Sequence, residues 1–188
     1  MTKIVLGFVG DLAAGKGAAC AYLKEKYNVD AYRFSMPLRD VLRRIYIPVS
    51  RGNQQLLSKV LRENFGQDLL SHVIYEDINN DPNEIAAADG IRRPSDIEHL
   101  KDLPGFRLVY ITADSKLRHE RLVKRAENEG DNTKTYEQFL TDEQAEADMQ
   151  IKALGQTSNY IIENNGSWEE FYQKIEDILT TIKNEVQG

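Results

Sequence analysis

The chain has few of the residues that build disulfide, metal or membrane sites. Its 188 residues include one cysteine, Cys20, which excludes an intrachain disulfide and fits a reducing compartment. The three histidines, His72, His99 and His119, have no spacing typical of a metal cluster. No apolar run approaches the roughly 20 residues that a membrane-spanning helix needs. These absences leave a globular protein without a membrane span as the expectation.

Positive charge is also scarce. The chain carries 24 Lys and Arg against 30 Asp and Glu, a formal charge of −6, which argues against broad nucleic-acid binding but not against a local basic pocket. The first apolar run, residues 4–9, is too short for the core of a signal peptide. We therefore expect a cytoplasmic protein. Apolar residues at 41% and charged residues at 29% are ordinary for a single globular domain, expected over residues 1–188.

Short apolar runs alternate with longer amphipathic segments, which is typical of an α/β fold with a parallel sheet. The pattern predicts about five strands, at 4–9, 31–34, 84–88, 107–112 and 159–162. It predicts helices at 17–27, 37–45, 54–79 with a break at Gly66, 94–103, 116–128, 136–154 and from 167 onward. The expected architecture is three-layer α/β/α.

The strongest motif follows the first predicted strand. It reads Gly10-Asp11-Leu12-Ala13-Ala14-Gly15-Lys16, with glycines and a lysine at phosphate-loop spacing. Glycines let successive N–H groups point inward, and the next helix adds its positive N-terminal end. Lys16 adds an ammonium for the β- and γ-phosphates of ATP. Residues 10–18 are therefore predicted to bind nucleotide; the alternative is an ordinary strand–turn–helix with a solvated lysine.

The loop departs from the usual motif just after the lysine. The usual motif continues with a serine or threonine whose hydroxyl can meet Mg²⁺, and here Gly17 and Ala18 follow instead. The loop resembles the Gly-Lys-Gly-Thr of many nucleotide kinases, with Ala18 in place of the threonine. Ala18 has no hydroxyl, so magnesium would rest on triphosphate oxygens, water and an acid such as Asp89. This departure bears on the rate of catalysis more than on nucleotide binding.

An acid and two arginines follow the third predicted strand, in Asp89-Gly90-Ile91-Arg92-Arg93. Ligands of open α/β sheets bind at the carboxyl ends of strands, so Asp89 is predicted to lie near the phosphates and to orient magnesium or an acceptor. Arg92 and Arg93 are candidates to clamp an anionic acceptor. The alternative is a plain turn with solvated arginines.

Three arginines, Arg118, Arg121 and Arg125, share one face of the predicted helix 116–128. Such a row suits phosphoryl transfer, where negative charge spreads over the transferred group, and Arg121 and Arg125 are predicted to be catalytic. The polar segment that follows is predicted to be a lid, over about 126–140. A solvated helix face is the alternative.

Further arginines are candidates to bind an acceptor phosphate. Arg39 and Arg43 lie one helical turn apart, and Arg62 follows in the next helix. Each of these arginines alone is ordinary surface; as a set they are predicted to include at least one substrate contact.

Taken together, the chain resembles P-loop nucleotide kinases of the adenylate-kinase-like superfamily, including deoxynucleoside monophosphate kinases and dephospho-CoA kinases. The resemblance covers nearly the whole chain and rests on the loop and four shorter pieces. These are Phe34-Ser35-x-Pro37-Leu38-Arg39, Asp89-Gly90-Ile91-Arg92, Glu120-Arg121-Leu122-x-x-Arg125 and the segment 159–167. It implies that Asn164 and Gly166 lie near the nucleotide base and that the helix of Arg121 and Arg125 leads into the lid. It also implies that residues 33 to about 80 form the acceptor-binding region, and that ATP and Mg²⁺ are the cofactors.

The leading hypothesis is transfer of the ATP γ-phosphate to a nucleoside or deoxynucleoside monophosphate. Dephospho-CoA and a modified nucleoside or nucleic-acid end are alternative acceptors. A nucleotide-binding regulatory protein with little turnover is the alternative from another class, and Ala18 is the residue that favours it.

Overall fold

The computed structural model describes residues 2–29, 31–126, 130–143 and 146–187. Five parallel strands form one sheet in the order β2-β3-β1-β4-β5. The strands are β1 Ile4–Gly10, β2 Ala31–Arg33, β3 Ile85–Asp89, β4 Phe106–Thr112 and β5 Tyr160–Glu163. The helices are α1 Lys16–Tyr27, α2 Ser35–Arg44, α3 Arg51–Phe65, α4 Leu69–Asn80, α5 Ser115–Arg125, α6 Tyr136–Asp142, α7 Glu146–Gln156 and α8 Trp168–Gln187.

Helices cover both faces of the sheet, and β1 is buried along its whole length. Its alternate side chains point into two cores, with Leu6 and Phe8 in the core that includes α1 and α8 residues. Val5 and Val9 lie in the core that includes α2, α4 and α7 residues. A strand buried on both faces must be apolar throughout, which explains the continuous run at 4–9. The predicted three-layer fold with five parallel strands is confirmed.

Two predicted helices differ from the structure. Residues 94–103 form two short 3-10 turns, Pro94–Ile97 and Leu100–Asp102, in place of one helix. The carboxylate of Asp96 accepts backbone N–H bonds from Arg92 and Arg93, which favours a tight local turn over a continuing helix. The predicted helix over 136–154 is divided into α6 and α7, and residues 144–145 lie outside the described chain.

The helix predicted over 116–128 ends at Arg125, because Ala126 adopts the left-handed conformation that terminates helices. Residues 127–129, part of the predicted lid, lie outside the described residues. Within the described ranges, no helix combines the length and the apolarity that crossing a bilayer requires.

Candidate active site at the phosphate loop

The loop between β1 and α1 begins and ends at glycines that the backbone requires. Gly10 has φ 152°, and a Cβ there would lie 2.0 Å from the carbonyl oxygen of Ile111 on β4. Gly15 has φ 126°, and its Cβ would lie 2.6 Å from Nδ2 of Asn164. Larger residues would push apart the elements that frame the loop. The loop is therefore held at the carboxyl end of β1, between β3 and β4.

Lys16 lies at the centre of the charged groups around this loop. Its ammonium donates hydrogen bonds to the carbonyl oxygens of Gly10, at 2.7 Å, and Asp11, at 2.8 Å. Burial lowers the pKa of Lys16 to about 8. Asp89 and then Asp11 oppose that shift, while Arg92 and Arg125 add to it. Side chains predicted separately, from β3, the loop after it and the end of α5, therefore act on one ammonium.

Asp89 ends β3, opposite Phe8 on β1 and Arg33 on β2. Its side chain is 16% exposed, and Oδ2 lies 3.2 Å from Nε of Arg33. The carboxylate is thus accessible at the edge of the sheet where β1 opens into the phosphate loop. Asp89 thus lies at the carboxyl end of its strand, and its role toward magnesium or an acceptor stays a prediction.

Arg62, predicted as a candidate substrate contact, is instead buried in an ion pair. Its side chain is 7% exposed and forms a buried ion pair with Asp96, with Nη2 2.7 Å from Oδ1. It also donates to the carbonyl oxygen of Gln67. The other oxygen of Asp96 holds the backbone of Arg92 and Arg93. A substrate-binding role for Arg62 has no support from this position, and Arg62 with Asp96 instead shapes the loop that carries Arg92.

The carboxylate of Asp11 lies in a polar network with β4 that the sequence analysis missed. Its carboxylate is 8% exposed and accepts hydrogen bonds from the Tyr110 hydroxyl, at 2.8 Å, and the Thr112 hydroxyl, at 2.7 Å. Nε of Arg118 lies 3.9 Å from the same carboxylate. Alternate residues of β4, Tyr110 and Thr112, carry the donors, so the period of two in that strand was the available signal.

Arg118 connects the loop to α6. It is 5% exposed, donates to the carbonyl oxygen of Ala113 at 2.8 Å, and pairs with Glu143. The ring of Phe139 lies 5.4 Å from its guanidinium carbon. This arginine of the predicted row is therefore a buried structural contact between the phosphate loop and the end of α6.

Arg121 is engaged on the other side of the loop. Its Nη2 donates to the carbonyl oxygen of Asn164 at 3.0 Å, and its guanidinium carbon lies 5.2 Å from the ring of Trp168. Its Nη1 is buried with no hydrogen-bond partner among the described residues. Asn164 is 1% exposed and donates from Nδ2 to the carbonyl oxygen of Ala14. Asn164 thus links Arg121 to the phosphate loop.

Most of the remaining predicted residues lie at the surface, whereas Ala14 of the loop is fully buried. Leu12, Gly17 and Gly166 are exposed, and Ala18 packs partly against the core beside α1. Arg39 and Arg43 lie on α2 with exposed side chains; Arg39 donates to Gln54 at 3.3 Å and Arg43 pairs with Asp40 at 3.1 Å.

The strand order, the loop after β1 and the lysine at its end define a P-loop kinase fold. Protein TT1252 from Thermus thermophilus matches it with a TM-score of 0.63 and 15% identity, covering 96% of this chain and 98% of TT1252. Shikimate kinase from Bacteroides thetaiotaomicron matches with a TM-score of 0.62 and 14% identity, covering 94% of this chain and 98% of the kinase. At these identities the likeness concerns the fold.

Sequence similarity gives the family. A UPF0200 protein from Sulfurisphaera tokodaii is 30% identical over 180 residues, which cover 95% of this chain and 97% of that protein. The chain belongs to the UPF0200 family. No protein-family model matches the chain. The P-loop kinase fold is thus confirmed, whereas a nucleotide-kinase type of acceptor stays a prediction.

Proposed function

We propose that the chain is an ATP-dependent phosphotransferase that moves the γ-phosphoryl group to an oxygen of a nucleotide. The observation that carries this proposal is the loop itself, where glycines at both ends frame the turn and the Lys16 ammonium lies on the carbonyl oxygens of Gly10 and Asp11. The charges of Asp89, Arg92 and Arg125, from separate elements, also act on this ammonium. A cluster of this kind supplies an ammonium and two guanidinium groups for phosphates and one carboxylate for an acceptor.

The donor triphosphate would bind to the amides of the loop and the first turn of α1. Gly15 caps α1 without a side chain, so the helix N-terminus faces the loop without a competing carboxylate. Lys16 would exchange the carbonyl oxygens of Gly10 and Asp11 for phosphate oxygens. Because the ammonium is already held in the loop, little reorganisation is needed for this exchange.

Arg125 and Arg92 would stabilise the charge of the moving group, and Asp89 would orient the acceptor. Arg121 would join them only by leaving Trp168. Asp89 offers oxygen donors that suit Mg²⁺ directly or through water, while Ala18 offers none. When bound, magnesium would neutralise charge on the β- and γ-phosphates.

The test is a transfer assay with γ-labelled ATP and a panel of acceptors. The panel contains the nucleoside and deoxynucleoside monophosphates, dephospho-CoA and shikimate. The wild type should label a nucleotide, and Lys16→Ala should lose at least a hundredfold in rate. Lys152→Ala, a charge removal at an exposed position of α7, is the matched control and should keep wild-type activity. Undiminished transfer by Lys16→Ala would refute the proposal.

A second candidate function is nucleotide binding with little turnover, and Ala18 favours it. Neither residue after Lys16, Gly17 or Ala18, has a hydroxyl for Mg²⁺, while the loop glycines and Lys16 are present. Tight ATP binding in a calorimeter, combined with no labelled product from any acceptor in the panel, would support this candidate over the kinase.

A further inference from the structure

One segment of this acidic protein is strongly basic. Residues 33–53 contain five arginines and a single carboxylate, that of Asp40, and no lysine, glutamate or histidine. The segment has a formal charge of +4 within a chain of −6. Arg43 and Arg44 in the last turn of α2 are exposed, as is Arg51 at the start of α3. The positive charge of these exposed arginines favours binding of an anionic partner.

Tyr46 stands at the end of α2 in a conformation that favours glycine. Its φ is 59°, the left-handed region, and the N–H of Ile47 donates to the carbonyl oxygen of Leu42 at 2.9 Å, as in a helix-ending Schellman motif. A tyrosine at this position is strained, yet its side chain is 89% exposed and no core packing offsets the strain. Strain at an exposed aromatic points to an external ligand.

Tyr46 and the arginines share one shallow depression. Asp40, Arg43, Arg44 and Tyr46 line it; we call these four residues the Tyr46 surface. Arg43 pairs with Asp40 at 3.1 Å, while Arg44 adds a second guanidinium beside the phenol ring. This combination matches a planar base joined to a phosphate, because bases stack on aromatic rings while arginine binds phosphate oxygens. Half-exposed aliphatic side chains flank the depression, including Ile45 and Ile47, and offer further apolar contact to base faces.

We propose that the Tyr46 surface binds single-stranded nucleic acid. A second copy of this chain fits less well, because a twofold axis through the patch would set arginines against arginines. The formal charge of −6 argues against nucleic-acid binding over the whole surface, so the proposed binding is confined to this local segment.

The position of α2 relates this surface to the phosphate loop. The helix starts just after Phe34, whose N–H donates to the carbonyl oxygen of Asp89, and its ten residues span about 15 Å. A single nucleotide is too short to contact both the Tyr46 surface and the end of α2 next to Asp89, whereas a strand of several nucleotides can lie along the helix. This step rests on the proposed function: the acceptor is then the terminal nucleotide of the bound strand.

The transfer step follows from that placement. The terminal hydroxyl oxygen of the strand forms a bond to the γ-phosphorus of ATP, and the bond from that phosphorus to the β–γ bridging oxygen breaks. ADP leaves with the electron pair, and the hydroxyl proton passes to the carboxylate of Asp89.

Binding is tested by fluorescence anisotropy with 3′-labelled ten-nucleotide DNA and RNA strands, without ATP. Tyr46→Ala should weaken binding about tenfold, the size expected for losing one base stack, while Tyr46→Phe should stay within about twofold. Tyr46→Gly should bind as weakly as Tyr46→Ala yet melt about 2–4 °C higher, because glycine removes the backbone strain. Weak binding by a variant more stable than the wild type cannot come from misfolding.

Arg43→Gln and Arg44→Gln should each lower the salt dependence of binding, while Arg107→Gln, on β4, should leave it unchanged. Wild-type affinity in Tyr46→Ala would overturn the proposal, as would a wild type that binds an acidic peptide but neither strand.

Transfer is tested separately from binding. Lys16→Ala should bind the strands like the wild type and transfer no phosphate to a 5′-hydroxyl strand. If the wild type binds strands but labels only free monophosphates, the terminal nucleotide is not the acceptor. If the wild type labels nothing while Tyr46-dependent binding persists, the proposed function fails and the nucleic-acid site remains.

Discussion

The hydroxyl of Tyr110 donates a 2.8 Å hydrogen bond to the carboxylate of Asp11, and so ties β4 to the phosphate loop. Burial, together with Asp11, raises the pKa of Tyr110, which keeps this donor protonated at neutral pH. Tyr110→Phe should lower the free energy of unfolding by about 1–2 kcal/mol, since Asp11 keeps its bond from Thr112. It should also weaken ATP binding severalfold.

Urea denaturation and ATP titration of Tyr110→Phe measure both effects. Tyr75→Phe, on α4, is the matched control and should leave ATP binding unchanged. Equal ATP affinity in wild type and Tyr110→Phe would show that the bond between Tyr110 and Asp11 does not position the loop.

The low pKa of Lys16 makes ATP binding depend on pH. Burial lowers this pKa to about 8 in the empty loop, so the ammonium is lost as the pH rises through 8. ATP should bind up to about tenfold more weakly at pH 9 than at pH 7. Calorimetry across this range should show a flat profile for Lys16→Ala, and a flat wild-type profile would contradict the prediction.

Deprotonation of Lys16 should weaken ATP binding but raise the free energy of unfolding. The folded pKa, about 8, lies below the ordinary value of 10.5, so the unfolded chain binds more protons between these values. The cost of the buried ammonium is present in full below pH 8 and disappears as the pH approaches 10.5. Relative to Lys16→Met, the wild type should therefore gain stability over this range in denaturant titrations.

Trp168, the one tryptophan of the chain, reports on Arg121. The guanidinium carbon lies 5.2 Å from the indole ring, so departure of Arg121 toward bound phosphates should change the emission of Trp168. Saturating ATP should alter the fluorescence of the wild type. Arg121→Leu should show an altered baseline and no change with ATP. A wild-type spectrum indifferent to saturating ATP would mean that Arg121 stays on Trp168.

Ala18→Thr should raise magnesium-dependent turnover severalfold, because it restores a hydroxyl next to Gly17 at the start of α1. Ala18→Val has nearly the same shape without the hydroxyl and serves as the control. Steady-state rates as a function of Mg²⁺ concentration compare the two variants. If threonine and valine act alike, the hydroxyl is irrelevant to this loop.

Breaking the buried pair of Arg62 and Asp96 should be costly. Asp96→Ala leaves an uncompensated guanidinium at a site that is 7% exposed, and should lower the free energy of unfolding by about 3–5 kcal/mol. The exposed pair of Lys101 and Glu98 provides the comparison, since Glu98→Gln should leave the free energy of unfolding nearly unchanged. Chemical denaturation of both variants measures the difference. Equal losses of unfolding free energy in the two variants would show that the pair of Arg62 and Asp96 does not stabilise the fold.

The sheet was predictable because its strands have local signatures. A continuous apolar run identified β1, and the glycines and Lys16 identified the loop after it. The break at Gly66 is confirmed, since α3 ends at Phe65 and α4 begins at Leu69. These features are set by residues close together in the sequence, so local sequence patterns predict them well.

The roles of individual arginines were less accessible from the sequence. Arg118 and Arg121 share a helical face, yet one is buried against Glu143 and the other lies on Trp168. Nothing in the spacing of arginines reveals which acids or rings from distant segments will meet them. Asp96 likewise takes Arg62 out of solvent across 34 positions of chain. Such pairings arise from tertiary structure alone.

The close approach of the β1 and β4 backbones at Gly10 limits which substitutions this protein can accept. A Cβ at this position would lie 2.0 Å from the Ile111 carbonyl oxygen, so every other amino acid there must separate β1 from β4. Gly17 and Gly52, by contrast, have nothing within 4 Å of an added Cβ. In a library of random variants, soluble clones should nearly always keep glycine at position 10, whereas positions 17 and 52 should accept many residues. Under the proposed function, new acceptors would then be gained by substitutions in α2 and α3, while Gly10 stays fixed.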